Sequence, residues 1–249
     1  MVNLFKLLMK PVWVLLLMLW FAQLGFAAES SASNNSDTKV SLSAEKTVLQ
    51  SFDPLFTRVT LELSKYQQRY LNDPAAYDEF VNRVLKPRWD SRSTSSALLG
   101  RAGFEQLNEA DRVALVDAVE NTLRRYAFEG LEHYSGQRFR VVDVVVNPRA
   151  NMGWVQVLME SPVIPDLHLD VLIKQVSADS WKAVDVRFKG ITYVAVKKHK
   201  FRKIIEEKGI QALIGELQDK NRDYFADICG RANIVGRPPC PAQGDNRGE

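Results

Sequence analysis

The chain has 249 residues, of which 33 are Lys or Arg and 30 are Asp or Glu, so its formal net charge at pH 7 is +3. A charge this close to neutral argues against a dedicated nucleic-acid-binding protein, which needs a basic field to displace counterions. The length suits one large domain or one domain with appendages.

Residues 1–27 have the layout of a secretory signal peptide. Lys6 and Lys10 precede an apolar run from Val12 to Phe21, and small residues follow up to Ala27, which predicts cleavage after Ala27. An uncleaved membrane anchor is the alternative, because residues 12–28 are mostly apolar and close to the lower length limit for a span. In either case the rest of the chain is expected outside the cytoplasm.

Residues 28–41 are polar and small and predict a flexible linker, so that the folded domain is expected over residues 42–220. Apolar residues at three- and four-residue steps predict a helix from Ser43 to Leu71, in which Pro54 either causes a kink or begins a second helix. Further helices are expected over residues 75–85 behind an Asp73-Pro74 cap, over residues 93–100, and from a cap at Asn108 to about His133.

After Gly136 the chain changes to four runs that are rich in β-branched residues, at 139–147, 153–160, 167–176 and 180–190. Their short connections favour antiparallel strands. Strict alternation places Val155, Val157 and Met159 on one face of the second run. In the last run it places Val184, Val186 and Phe188 on one face and Ala183, Asp185 and Arg187 on the other.

A final helix is expected from Lys200 to Leu217, followed by a tail over residues 221–249. Cys229 and Cys240 lie in this tail, and in an oxidising compartment they are expected to form a disulfide that stabilises the chain by about 2–3 kcal/mol. Helices first and strands second predict an α+β fold, with the helices packed as a cone over a curved antiparallel sheet of about four strands. Such a cone leaves an apolar cavity, which is where a ligand would bind.

The sequence lacks the usual signals of catalysis. It has no G-x-S-x-G elbow and no phosphate-binding loop, and His133, His168 and His199 lie too far apart to suggest a metal site. No catalytic residue, metal or cofactor is predicted.

Three strand carboxylates leave an isomerase or hydrolase as an alternative. Asp143, Asp170 and Asp185 stand within the predicted strands, and a buried carboxylate with a raised pKa could act as a general base. The apolar neighbours of each carboxylate favour an outward orientation instead.

The basic run Lys197–Lys203 is open to two interpretations. It is either a solvated surface or a patch that meets anionic lipid headgroups or an acidic partner.

Four stretches of the sequence resemble a known family. They are DPAAYDEFVNRVLKPRWD, LLGRAGFEQLNEADRVALVDAVENTLRRYAFEGLEHYSGQ, SWKAVDVRFKGITYV and FRKIIEEKGIQALIGEL. Their order and spacing resemble the MlaC family, also called the toluene-tolerance family, of periplasmic phospholipid-binding proteins.

The resemblance implies a non-enzymatic periplasmic carrier whose cavity takes up the acyl chains of a phospholipid as cargo. It implies a shuttle between an outer-membrane lipoprotein–porin complex and an inner-membrane ABC transporter complex with its substrate-binding-domain subunit, which supports outer-membrane lipid asymmetry. A divergent paralogue that binds a hopanoid or quinone is a further alternative.

The candidate lipid-binding residues are apolar or aromatic and come from the predicted sheet and from the helices expected to face it. They are Tyr126, Tyr134, Val144, Val146, Val155, Val157, Met159, Val171, Ile173, Val184, Val186, Phe188, Ile191, Tyr193, Phe201, Ile204 and Ile205.

Overall fold

The computed structural model describes residues 35–147 and 149–231. Within them the fold is α+β, with helices packed over a curved, unclosed antiparallel sheet as the sequence predicts. The α-helices are α1 Asn35–Asn72, α2 Pro74–Phe80, α3 Ser91–Leu99, α4 Arg101–Gln106, α5 Glu109–Glu132, α6 Tyr193–Lys208 and α7 Ile210–Arg231. A π-helical turn, Val81–Leu85, and a 3₁₀ turn, Lys86–Arg88, follow α2. The strands are β1 Arg138–Asn147, β2 Met152–Glu160, β3 Leu167–Ser177, β4 Ser180–Phe188 and β5 Ile191–Thr192.

Helix α1 begins earlier than expected. It starts at Asn35, inside the segment that the sequence predicts to be a linker, and it continues through Pro54 to Asn72. Pro54 therefore does not begin a second helix. The predicted signal peptide, residues 1–27, lies outside the described residues.

The predicted helix caps are confirmed. The Asp73 carboxylate accepts hydrogen bonds from the N–H groups of Ala75 and Ala76 at the start of α2, at 3.0 and 3.1 Å. The Asn108 side chain accepts one from the Asp111 N–H at the start of α5, at 2.8 Å. These bonds satisfy N–H groups that lack a partner within the helix.

The strands pair in the order β1-β2-β3-β4-β5, each antiparallel to its neighbour. Strands β4 and β5 are joined by Lys189 and Gly190, whose φ angles of 49° and 81° fit a two-residue hairpin turn. The sequence prediction of about four strands did not include β5.

A bulge in β4 corrects the predicted alternation. Leu172 pairs with Asp185 but Ile173 pairs with Ala183, so Val184 is the extra residue. Ala183 consequently lies on the same face as Val186 and not on the opposite one. Two hydrogen bonds tie this bulge to the start of α3, because Thr94 Oγ1 donates to the Val184 carbonyl at 2.7 Å and the Asp90 N–H donates to the Ala183 carbonyl at 2.8 Å.

The C-terminal helix prediction is wrong in two respects. The single helix expected over Lys200–Leu217 is two helices, α6 and α7, which are separated at Gly209 with φ 82°. Helix α7 then continues to Arg231, and Phe225 and Ile228 are buried in a helix cluster. Residues 221–231 are therefore part of the fold and not of a tail. Cys240 lies outside the described residues, so its pairing with Cys229 stays a prediction.

The apolar core has three clusters. The first lies between the sheet and the N-terminal half of α1. The second joins the C-terminal half of α1 to α2, α5 and α7. The third contains residues of α3, α4, α5, α6 and α7. No helix within the described residues is long and apolar enough to cross a membrane.

Candidate lipid-binding site

One face of the sheet is apolar across β1 to β4, and we call it the inner face. Cross-strand pairing aligns its side chains in rows, and α1 packs on it through Val48 and Phe52. The inner face consists of Phe139, Val141, Val144 and Val146 on β1, Val155, Val157 and Met159 on β2, Leu167, Leu169, Val171 and Ile173 on β3, and Trp181, Ala183, Val186 and Phe188 on β4.

Burial of the inner face falls from the centre of the sheet to the end of β4 that pairs with β5. Val155, Val157 and Ile173 are 0% exposed, whereas Val186 and Phe188 are half-buried. Ile191 pairs with Phe188 across the hairpin and is 61% exposed. We call Val186, Phe188 and Ile191 the open edge, because the apolar surface there reaches solvent.

The opposite face of the sheet, which we call the outer face, is polar at its centre. Asp143 pairs with Gln156, Gln156 with Asp170, and Asp170 with Arg187. The Arg187 guanidinium donates to the Asp170 carboxylate at 2.8 Å and lies 4.1 Å from the centroid of the Trp154 ring. Asp143 and Asp170 thus point away from the inner face, as predicted.

Asp185 also lies on the outer face, but it is buried, with 5% of its surface exposed. Its Oδ1 accepts hydrogen bonds from the Val186 N–H at 2.8 Å and from the Val194 N–H, in the first turn of α6, at 3.2 Å. Burial raises the pKa of Asp185, although these hydrogen bonds act in the opposite direction. The carboxylate is therefore engaged in holding α6 against β4.

Comparison with known proteins gives the family. A family model described as "MlaC protein" matches residues 55–219, which include every strand and most of the helical layer. The chain belongs to the MlaC family. No match was found among curated proteins.

A solved structure has the same fold. It is a phospholipid-binding protein from Ralstonia solanacearum in complex with a phospholipid, and it is 17% identical to this MlaC-family chain with a TM-score of 0.60. The match covers 73% of this chain and 98% of the other.

Two of the predicted aromatic residues meet where α5 and α6 pack. The rings of Tyr126 and Tyr193 are T-shaped with centroids 5.9 Å apart, and Lys197 Nζ lies 5.6 Å from the Tyr126 centroid. Burial raises the pKa of Tyr193. Tyr134 lies apart from this pair, beyond the end of α5, where its carbonyl accepts a hydrogen bond from Gln67 Nε2 at 2.7 Å.

Three predicted residues do not face the sheet. Phe201, Ile204 and Ile205 of α6 pack in the third core cluster, against residues of α3, α4, α5 and α7. The prediction that these three side chains face the sheet is wrong, because α1 is the helix that lies on the inner face. Val184, at the bulge, is buried.

Sequence reasoning missed part of the apolar surface. Phe139, Val141, Leu167 and Leu169 lie on the inner face. The period-two alternation of β3 contained the signal for Leu167 and Leu169. In β1 the register shifts between Val141 and Asp143, so strict alternation from Val144 and Val146 does not lead to Phe139 and Val141. Ala183 had no such signal, because the bulge at Val184 reverses the alternation of side chains in β4.

Two surface pockets of about 290 and 480 Å³ lie elsewhere, the first between α1 and α2 and the second beside the start of α3. Charged residues contribute to both, including Glu62 and Arg83 in the first and Lys86 and Glu120 in the second. Neither contains a candidate lipid-binding residue. Within the described residues, no group of His, Cys, Asp or Glu is arranged to hold a metal ion.

Proposed function

We propose that this MlaC-family chain binds a phospholipid, with its acyl chains against the inner face and its headgroup at the open edge. The observation that carries this proposal is the continuity of the inner face, whose apolar rows run from the buried centre to Ile191 at the solvent. The phospholipid in the similar Ralstonia structure supports the choice of ligand.

Binding requires space that α1 occupies at the centre of the sheet. Val48 and Phe52 are almost fully buried against the inner face, so acyl chains reach the central rows when α1 moves away from the sheet. The half-buried side chains at the open edge are the first contact surface. Replacing helix contacts by lipid contacts keeps the same apolar area out of water, which limits the free energy that the exchange requires.

The proposed role is that of a periplasmic carrier and not an enzyme. Asp185, the buried strand carboxylate, accepts two backbone hydrogen bonds and faces away from the inner face, so it is poorly placed as a general base. The proposed exchange partners are an inner-membrane ABC transporter complex with its substrate-binding-domain subunit and an outer-membrane lipoprotein–porin complex. Transfer between them would maintain outer-membrane lipid asymmetry.

Native mass spectrometry with lipid extraction tests the ligand directly. The mature protein, purified from its own periplasm without detergent, is expected to carry about one phospholipid per chain. A chain without lipid would contradict the proposal, and a co-purifying hopanoid or quinone would replace phospholipid as the ligand.

A matched pair of variants tests the site. Val186→Asp places a carboxylate on the inner face at the open edge, and Val145→Asp makes the same change on the outer face, where Val145 is 49% exposed. Because a carboxylate next to an acyl chain is poorly solvated, V186D is expected to lower the bound lipid at least tenfold, while V145D retains it. Circular dichroism establishes that both variants are folded. Equal lipid content in the two folded variants would show that the inner face is not the site.

A further inference from the structure

Two large aliphatic side chains are exposed where the open edge leads into α6: Ile191 of the open edge and Val196 of the helix. Ile191 is 61% and Val196 is 56% exposed. Thr192 between them is the N-cap of α6, since its hydroxyl accepts a hydrogen bond from the Ala195 N–H at 3.1 Å. Ile191 and Val196 therefore hold the two positions whose apolar side chains commonly contact each other at a helix start. More than half of each side chain is in water.

Helix α6, which follows this apolar pair, is strongly basic. It has six Lys or Arg residues and two Glu residues, a net charge of +4, whereas the whole chain has +3. His199, Lys200 and Lys203 follow Val196 at steps of three, four and seven residues, which places them on the same side of the helix. All three are exposed.

The ion pairs on this surface are weak. Lys200 lies 3.2 Å from Glu216 and Lys203 lies 3.8 Å from Glu207, and more than half of each lysine side chain is exposed. Exposed pairs of this kind contribute little to stability. The lysines can therefore exchange these partners for other anions at small cost.

We propose that Ile191, Val196 and the basic side of α6, around His199, Lys200 and Lys203, form a surface that docks on an anionic lipid bilayer. The aliphatic pair enters the headgroup layer and the lysines contact lipid phosphates. This surface shares Ile191 with the open edge, where Ile191 pairs with Phe188. Docking would thus turn the open edge toward the membrane.

The composition of the surface favours a bilayer over a protein partner. Protein interfaces are enriched in aromatic residues and Arg and depleted in Lys, whereas five of the six basic residues of α6 are Lys. Basic side chains around a small aliphatic group are the usual arrangement at membrane surfaces, where each Lys or Arg adds to the attraction of anionic headgroups.

Vesicle flotation with the mature full-length chain tests the proposal. The protein is expected to bind vesicles of phosphatidylcholine with phosphatidylglycerol but to bind phosphatidylcholine vesicles weakly, and binding is expected to fall as salt rises because the charges are exposed. Lys203→Gln is expected to weaken binding about fivefold, and Val196→Ser about tenfold. The matched controls are Lys65→Gln on α1 and Val145→Ser on β1, at the opposite edge of the sheet from β5.

The outcomes separate this surface from the lipid cargo. V186D, which is expected to lose its cargo, should still bind anionic vesicles like the wild type, because Val186 is not part of the docking surface. Failure to bind anionic vesicles at low salt, or equal loss in the Lys65 and Val145 controls, would overturn the proposal even if the protein carries phospholipid. If vesicles do not bind but K203Q and V196S weaken binding to a purified membrane-protein partner, the surface is a protein interface instead.

Discussion

Asp185 provides a test of how the edge of the site is built. Its carboxylate is buried and accepts hydrogen bonds from the N–H groups of Val186 and Val194. Asp185→Ala removes the acceptor of both donors. A lost helix-terminal acceptor costs about 1 kcal/mol and each buried unsatisfied donor about 1–3 kcal/mol, so D185A is expected to lower the free energy of unfolding by about 2–4 kcal/mol.

Asp185→Asn separates the acceptor from the charge. Asn keeps an oxygen at the same position, and burial already disfavours the ionised form of Asp185, whose pKa is raised. D185N is therefore expected to change the free energy of unfolding by less than about 1 kcal/mol. Asp143→Ala is the control, because Asp143 also accepts from the next N–H, at 2.8 Å, but is exposed. Its effect should stay within about 0.5 kcal/mol.

The pH dependence of the same variants has a defined sign. Between the unfolded pKa of an Asp, about 3.9, and the raised folded pKa, the folded wild type binds more protons than the unfolded chain. Its stability consequently falls as pH rises through this window. D185N lacks this titration, so its stability relative to the wild type is expected to rise over the same window and then become constant.

Urea denaturation of the four proteins over this pH range measures both effects. If D185N were as destabilised as D185A at neutral pH, the charge of Asp185 would be needed for folding, and the interpretation of the carboxylate as a backbone acceptor would be wrong.

Two further predictions concern packing and are measured by chemical denaturation. Gly153→Ala is expected to destabilise the protein by about 1–3 kcal/mol, because a Cβ there would lie 2.7 Å from the Val145 carbonyl oxygen. Gly130→Ala, on α5 with nothing within 4 Å of the added Cβ, should be neutral or stabilising by up to about 1 kcal/mol. Equal changes in the free energy of unfolding for the two variants would contradict this reasoning. Phe225→Ala is expected to lower the free energy of unfolding by about 3 kcal/mol, because Phe225 packs in the second core cluster. Asp223→Ala, at an exposed position of α7, should change it little. A neutral F225A would mean that residues 221–231 are not part of the cooperative fold.

Local sequence signals were sufficient for most elements. Asp73 and Asn108 predicted helix starts because a side-chain oxygen at the N-cap accepts from N–H groups two or three residues later, and the structure has these bonds. The four long strands followed from β-branched runs between turn residues. The break between α6 and α7 had a signal too, because Gly209 follows Lys208 in the manner of a helix C-terminus.

Other features depend on long-range packing and have no local signal. The bulge at Val184 is set by its pairing with β3 and by the hydrogen bond from Thr94, 90 residues earlier. Likewise, the periodicity of α6 indicated an apolar side at Phe201, Ile204 and Ile205 but not what it packs against. In the structure that side of α6 packs against α3, α4, α5 and α7, and α1 packs on the inner face of the sheet.

The energetics of a lipid cargo explain why the open edge and the basic helix belong together. Moving two acyl chains with about thirty methylenes from the inner face into water would cost on the order of 20 kcal/mol, so a bound phospholipid does not leave through solvent. Transfer into a bilayer has almost no such cost, because lipid tails are as apolar as the valines of the sheet. A carrier of this kind releases its cargo only where its apolar surface meets another apolar medium. Ile191, which pairs with Phe188 of the inner face, reaches solvent, and α6 begins two residues after it. The hairpin at Lys189 and Gly190 thus places the exposed end of the inner face next to the most basic helix described, which is the arrangement that the proposed exchange at an anionic membrane requires.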